Sequence, residues 1–204
     1  MTQFDQYSRR SLARISYATG VLRAIFAGQP QQVIDENGKP VSTAIFKSPV
    51  TGPVMARKLN IDGDRQADLT VHGGVDMAVY CYPAEHYEAW ASELGRELPY
   101  GTFGENLTVT GLLEDTLRID DVIVVGDAIL QVSKPRYPCF KLGIKMGDPT
   151  FVRRFQESGR SGFYCRVLEE GVIEAGQTMD VTERNAGQPT VVSVVAARNK
   201  QGGV

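Results

Sequence analysis

The fold class of this chain is decided by residues 122–132, which read VIVVGDAILQV. Two short aliphatic runs, Val122 to Val125 and Ile129 to Val132, flank a Gly-Asp pair. Branched aliphatic side chains fit a pleated strand, and a glycine beside an aspartate is typical of a turn. The stretch therefore predicts two successive strands separated by a tight turn.

The same pattern of short β-type runs and turn signals repeats from Val21 onward. Turn signals such as Asp62-Gly63-Asp64 separate the runs, and the sequence holds 21 glycines. Closely spaced strands of this kind favour a barrel or a sandwich. Two stretches have helical spacing of apolar residues instead, Pro83 to Leu94 and Pro149 to Glu157. The chain is predicted to be mainly β with a few helices, and its other strand runs are Val21 to Phe26, Thr43 to Phe46, Ala78 to Tyr82, Leu107 to Thr110 and Gly162 to Val167.

Length and composition indicate a single main domain. With 204 residues and 42% hydrophobic content, the chain can bury one sizeable core. We expect a disordered extension at residues 1–20, the main domain at 21–182, and a linker with a short tail at 183–204. Within the last part, the apolar run Thr190 to Ala197 fits either a last strand or the start of a helix.

Charge and cysteine content argue against several classes of protein. The net charge is −2, and the 22 basic residues form no stripe, so nucleic acid is not expected as a partner. There is no apolar run of membrane-spanning length and no secretory signal, so we expect a cytoplasmic protein without membrane contact. The three cysteines are widely spaced and form no CxxC pair, which argues against a disulfide framework or a structural zinc site.

One cysteine lies in a stretch of unusual composition. In residues 133–142, SKPRYPCFKL, Cys139 follows two prolines and stands among three cations. The prolines disfavour helix and sheet, where structural cysteines are usually found. Lys134, Arg136 and Lys141 would each stabilise the thiolate, which is the form that attacks electrophiles and binds soft metals. The local sequence leaves two interpretations open, a reactive site or an ordinary surface turn.

Cationic residues elsewhere are candidates for holding an anion. Lys47 and Ser48 come at the end of a strand run, and a cation beside a hydroxyl can hold a phosphate or assist a thiolate. Arg65 and Arg136 are suited to bidentate phosphate contacts. A solvated strand end and surface salt bridges are the alternative interpretations.

Two glycine-containing segments add further polar candidates. In residues 71–76, VHGGVD, His72 supplies a donor or a base beside Gly73 and Gly74, which allow a backbone to approach a ligand closely. In residues 101–107, GTFGENL, Asn106 can both donate and accept hydrogen bonds. A hairpin turn and a glycine-rich strand entry explain the two segments equally well.

In their order and separation, these four segments resemble the MOSC family, the domain found at the C-terminus of molybdenum cofactor sulfurase. More narrowly, the chain is similar to the bacterial YiiM-type branch, which is associated with resistance to N-hydroxylated base analogues such as hydroxylaminopurine. The resemblance runs from about Val21 to about Val181. It implies a MOSC-type β-barrel with a cleft for the molybdenum cofactor, molybdopterin.

The resemblance also implies roles for individual residues. Cys139 matches the invariant cysteine of the family and would ligate molybdenum, a soft metal that suits a thiolate. Tyr164 matches a tyrosine that contacts the cofactor. With Cys139 as metal ligand and Lys47 and His72 as further catalytic candidates, the implied cofactor-binding set is Lys47, Ser48, Arg65, Gly73, Gly74, Asn106, Arg136 and Tyr164.

The implied reaction is the two-electron reduction of an N–O bond in a small N-hydroxylated substrate. Lys47, His72 and Tyr164 are the candidate proton donors. The sequence has no flavin or nicotinamide fingerprint, so we expect the electrons to come from a separate reductase.

Other functions at the same cysteine stay open. Cys139 could carry a persulfide and deliver sulfur, or the chain could bind the cofactor without turnover. A metal-free thiol hydrolase with Lys47 or His72 as base is a third alternative. A homodimer is likewise left open.

Overall fold

The structure is a computed structural model that describes residues 16–67 and 73–201. A 3₁₀ turn, Val75–Met77, precedes the sixth strand. The strands and helices follow in the order β1 Ala18–Ala27, β2 Gln31–Ile34, β3 Pro40–Thr43, β4 Ser48–Val50, β5 Val54–Ala56, β6 Val79–Pro83, α1 Glu85–Leu94, β7 Leu107–Thr110, β8 Val122–Val125, β9 Ala128–Pro135, α2 Phe140–Met146, α3 Phe151–Ser158, β10 Phe163–Glu169, β11 Gly171–Ile173, β12 Thr178–Glu183 and α4 Val191–Lys200.

Seven strands close into a β-barrel in the order β12-β8-β9-β10-β6-β7-β1, and β1 pairs back to β12. The β6–β7 pair is parallel, and the other barrel pairs are antiparallel. The stretch 122–132 forms the β8–β9 hairpin, in which Val125 faces Ala128 across the turn. Outside the barrel, β4 extends the sheet from β1, while β2–β3 and β5–β11 form two-stranded sheets. The predicted mainly β barrel with a few helices is confirmed.

Alternation along the strands divides the core in two. On β6, Val79 and Cys81 point into the barrel and join the aliphatic interior. Tyr80 and Tyr82 point to the outer face, where α1, α2 and α3 cover them. This outer layer, which we call the aromatic cluster, is dense in rings because helices packed on a sheet leave a gap that large side chains fill. Its fully buried members include Tyr82, Trp90, Phe103, Phe151 and Phe155.

Three segments differ from the sequence prediction. The strand predicted at Thr43 to Phe46 is wrong beyond its first residue. Strand β3 ends at Thr43, and residues 44–46 have no regular secondary structure. Strand β9 continues to Pro135, although the prolines predicted a loop; at the last residue of a strand a missing N–H is tolerated. Helix α2 follows Cys139 directly and was not predicted, since the helix is only seven residues long.

The ends of the barrel domain also differ from the expected boundaries. Strand β1 begins at Ala18, inside the expected extension at 1–20, and Tyr17 N–H already bonds to Val181 O at 2.8 Å. Residues 1–15 lie outside the described part. In the expected linker and tail at 183–204, Val191–Lys200 form α4, whose Val191 and Val195 are buried. Among the helices of the described residues, none is long and apolar enough to cross a membrane.

Candidate functional site

A cavity of about 110 Å³ lies on the outer face of β6 and β10, beside the aromatic cluster. Six separate parts of the chain meet around it. Four cations and one carboxylate line it, so its wall is positively charged and suits an anionic ligand. The lining residues are Thr43, Ala44, Ile45, Lys47, Asp64, Arg65, Gln66, Ala67, Met77, Tyr80, Gly104, Asn106, Arg136, Cys139, Lys141 and Tyr164.

Lys47 and Asp64 form a buried ion pair in this wall. The Lys47 Nζ donates to Asp64 Oδ1, and the two side chains are 9% and 3% exposed. Burial lowers the pKa of Lys47, because the ammonium loses hydration, and the attraction of Asp64 opposes part of that effect. Lys47 therefore gives up its proton more readily than an exposed lysine does.

Asn106 uses both ends of its amide inside the protein. Its Oδ1 accepts from the Tyr80 backbone N–H at 3.1 Å. Its Nδ2 donates to the Phe26 carbonyl at 3.2 Å and to Asp64 Oδ2 at 2.9 Å. Because Asp64 also holds Lys47, the amide connects two barrel strands to the ion pair of the cavity. The main role of the Asn106 side chain is therefore to hold these parts of the cavity wall together.

The Arg136 guanidinium packs against two aromatic rings. Its Cζ lies 5.1 Å from the ring centroids of both Tyr80 and Phe155, and the residue is 6% exposed. One buried nitrogen, Nη1, has no hydrogen-bond partner among the described residues. A buried donor without an acceptor is costly. Arg136 therefore brings to the cavity wall a donor that an anionic ligand could use.

Tyr80 and Tyr164 form the aromatic part of the wall. They are register partners on β6 and β10, with ring centroids 5.2 Å apart. Burial raises the pKa of both hydroxyls, and Arg136 opposes part of that effect. Both keep their protons at neutral pH, and Tyr80 donates to Ser161 O at 2.8 Å. Tyr164 is therefore suited to donating a hydrogen bond, and less to supplying the proton for which the sequence made it a candidate.

Cys139 is the residue immediately before α2, in extended conformation, and it is partly exposed. Two of its neighbouring cations in the sequence, Arg136 and Lys141, line the same cavity, and a positive environment favours the thiolate. The third, Lys134, lies on β9 opposite Tyr164 and does not line the cavity.

The other two cysteines lie in the barrel interior. Cys81 and Cys165 are both 0% exposed. Burial raises the pKa of Cys81 well above its ordinary value, which keeps this thiol protonated. Cys81 and Cys165 have apolar surroundings, whereas Cys139 shares a cavity with four cations.

The structure brings together most of the residues singled out in the sequence. Lys47, Arg65, Asn106, Arg136, Cys139 and Tyr164 all line the cavity. Ser48 does not; it is the exposed first residue of β4 and pairs with Ala27. Gly73 and Gly74 do not line it either, but they precede the 3₁₀ turn that carries Met77 to its wall. His72 lies outside the described residues.

Sequence reasoning missed Asp64 and Tyr80. Asp64 was interpreted only as part of a turn signal, and Tyr80 as one member of a strand run. Their partners lie far along the chain, since Asp64 is 42 residues from Asn106 and Tyr80 is 81 residues from Ser161. A local pattern carries no signal for such pairs.

The described residues contain no group of three or more His, Cys, Asp or Glu side chains arranged to hold a metal ion. A metal bound at Cys139 would therefore take its other ligands from outside the described protein groups. A thiolate is a soft donor, so it suits a metal that brings further sulfur ligands with it.

The chain is similar to known proteins in both sequence and fold. The chain matches the MOSC domain over residues 68–180. It is 46% identical over 157 residues to the uncharacterized protein YflK of Bacillus subtilis (strain 168), a match that covers 77% of this chain and 71% of YflK. Over 187 residues it is 35% identical to a protein named "Reductase" from Gibberella moniliformis, covering 88% of this chain and 33% of that protein.

The fold is similar to that of a solved structure, YiiM from Geobacillus stearothermophilus. The two superpose with a TM-score of 0.74 and 35% sequence identity. The match covers 89% of this chain and 85% of that one. Because the two sequences are also 35% identical, the similarity is more specific than a shared barrel architecture.

Proposed function

This chain belongs to the MOSC domain family, and we propose that it is a reductase of small N-hydroxylated compounds that works with the molybdenum cofactor. The observation that carries the proposal is the composition of one cavity wall. A partly exposed thiol, Cys139, shares that wall with four cations and the buried Lys47–Asp64 pair. No single structural role explains a thiol, this many cations and a buried ion pair at one cavity.

The cavity residues fit a molybdenum–pterin group. Arg136 has a buried donor, Nη1, without a partner in the described part of the chain. Arg65 and Lys141 add two further cations that suit a phosphate. Cys139 offers a soft sulfur donor, which suits a sulfur-rich metal centre. In this proposal Cys139 would hold the metal, while Arg65, Arg136 and Lys141 would hold the anionic part of the cofactor.

When bound, the cofactor would supply the two electrons that break the N–O bond of a hydroxylamine. The products are an amine and water, so two protons are also needed. Lys47 is the proton donor that the structure supports best, because its Nζ lies in the cavity wall and burial lowers its pKa. Asp64 orients that ammonium, and Asn106 fixes Asp64.

The source of electrons remains a separate reductase in this proposal. One relative is consistent with reduction, because the Gibberella moniliformis protein that is similar to this chain over 33% of its own length is named "Reductase". We infer that a separate partner supplies the electrons to this chain.

The test is molybdenum content per chain, measured by elemental analysis, in wild type and in Cys139→Ala. Both are expressed in cells that make the cofactor. We expect near-stoichiometric metal in wild type and little in the variant, together with loss of hydroxylaminopurine reduction. Cys165→Ala is the matched control, because this thiol is buried in the barrel interior and should leave both quantities unchanged.

Full reductase activity in folded Cys139→Ala would overturn the proposal. Absence of molybdenum from both proteins would also count against it. If a labile sulfane sulfur were then found on Cys139, sulfur transfer would replace reduction as the function of this cavity.

A further inference from the structure

Lys145 lies in the last turn of α2, the helix that Cys139 precedes. Its Nζ donates to two backbone carbonyls from different parts of the chain. One is Ile45 O at 2.8 Å, and the other is Gly101 O at 2.6 Å. The same ammonium lies 5.7 Å from the centroid of the Phe46 ring. One side chain thus connects α2 with residues 45–46 and with the turn at 101–104.

This contact has an energetic cost. Among the ion pairs of the described residues none includes Lys145, so its charge is balanced only at longer range. Burial lowers the pKa of Lys145 to about 8; Glu105 opposes this effect, while Lys47 and Arg136 add to it. A buried ammonium held by carbonyls alone is expensive, and a neutral apolar side chain would avoid that cost.

The two segments that Lys145 holds both belong to the cavity wall. Ile45 lines the cavity and packs against Gly104, where an added Cβ would lie 2.6 Å from the Ile45 Cγ1 atom. Gly104 also lines the cavity, and its N–H bonds to the Gly101 carbonyl at 3.1 Å. The ammonium therefore fixes α2 against the backbone that shapes the rest of the wall.

We propose that Lys145 is a positioning residue, whose ammonium sets the position of the Cys139 thiol relative to the wall formed by Ile45 and Gly104. The position of Cys139 depends on that of α2, because Cys139 is the residue immediately before the helix. Without the two carbonyl bonds, the helix loses its polar connection to residues 45 and 101, and the thiol becomes less enclosed.

The test is the alkylation rate of Cys139 by iodoacetamide in the full chain, followed by peptide mass analysis over a range of pH. The pH profile gives the thiolate fraction, and the rate at pH 7 divided by that fraction is the limiting rate. This limiting rate reports access to the thiolate while most Lys145 side chains still carry their proton. Lys145→Met removes all three donors while keeping most of the apolar stem. We expect the limiting rate to rise at least about fivefold, because two charge-assisted bonds are lost. Lys145→Arg keeps a charged donor, so its limiting rate should lie within about twofold of the wild-type rate.

Lys39→Met is the matched control, since Lys39 is exposed in the β2–β3 turn and should leave the rate unchanged. If Lys145→Met does not fold, Lys145→Gln takes its place; its amide is uncharged and one bond shorter than the lysine side chain, so the limiting rate should still rise. A limiting rate within about twofold of wild type in the folded variant would overturn the proposal, even if the melting temperature fell.

The alkylation assay uses protein expressed in cells that do not make the cofactor, so Cys139 carries no metal and the result does not depend on the proposed reductase function. A second readout, molybdenum retained per chain, does rest on that function. If Lys145→Met is alkylated faster but wild type expressed in cells that make the cofactor contains no molybdenum, the positioning role is supported and only the reductase proposal is contradicted.

Discussion

Replacing Asn106 with alanine removes three buried hydrogen bonds at once. The amide bonds to the Tyr80 N–H, the Phe26 carbonyl and the Asp64 carboxylate, and Asn106 itself is 4% exposed. Alanine offers none of these bonds. The Tyr80 and Phe26 groups lie on strands whose positions the barrel fixes, so they cannot turn to water without local opening.

The expected loss of stability follows from those partners. A buried backbone group left without its partner costs about 1–3 kcal/mol, and two such groups are affected. Asp64 loses one donor but keeps the Gly28 N–H and Lys47, so its share is smaller. Together we expect the free energy of unfolding to fall by about 4 kcal/mol, which is about a thousandfold in the unfolding equilibrium.

Urea unfolding followed by tryptophan fluorescence measures this loss. Trp90 is the single tryptophan and is fully buried in the aromatic cluster, so its emission reports loss of packing. Asn37→Ala is the control, because Asn37 is exposed in the β2–β3 turn and should change stability by less than about 0.5 kcal/mol. A loss below about 1.5 kcal/mol in Asn106→Ala would refute the reasoning that its amide connects the wall.

Three further predictions concern Gly104, Lys145 and the thiols. Gly104 has φ +80 and lies against Ile45, so Gly104→Ala should lower the free energy of unfolding by at least about 2 kcal/mol in urea titration. The pKa of Lys145 is about 8 in the folded chain and 10.5 ordinarily, so between these pH values only the unfolded chain keeps the proton. The free energy of unfolding of wild type should therefore rise by about 3 kcal/mol relative to that of Lys145→Met as the pH increases from 8 to 10.5. Urea unfolding at each pH measures this difference. A chromogenic disulfide reagent should titrate one thiol in the native chain, Cys139, and three after denaturation; reaction of a buried thiol in native protein would contradict the barrel interior described above.

Much of the barrel could be predicted from the sequence because strand and turn preferences act locally. The runs at 122–125 and 129–132 contain branched aliphatic residues around a glycine turn, and they form β8 and part of β9. Residues 44–46 were less predictable. Their apolar composition fits a strand, but Ile45 and Phe46 instead pack around Gly104 and Lys145. A competing tertiary contact, which local propensity does not contain, decided their conformation.

The candidate site divides in the same way. Cys139, Lys47 and Asn106 could be singled out in the sequence, because cations, prolines and glycines give their segments an unusual composition. Asp64 and Lys145 could not, because their importance depends on partners that closure of the barrel brings near. Lys145 bonds to residues 100 and 44 positions away along the chain.

The sequence by itself determined the fold class, the family resemblance and the cysteine that stands among cations. Only the tertiary structure decided which of those cations share a cavity with Cys139. It also decided that the Asn106 amide forms its hydrogen bonds within the protein. The physical reason is that side-chain shape and backbone freedom act over a few residues, whereas burial, ion pairing and hydrogen-bond partners depend on where the barrel closes.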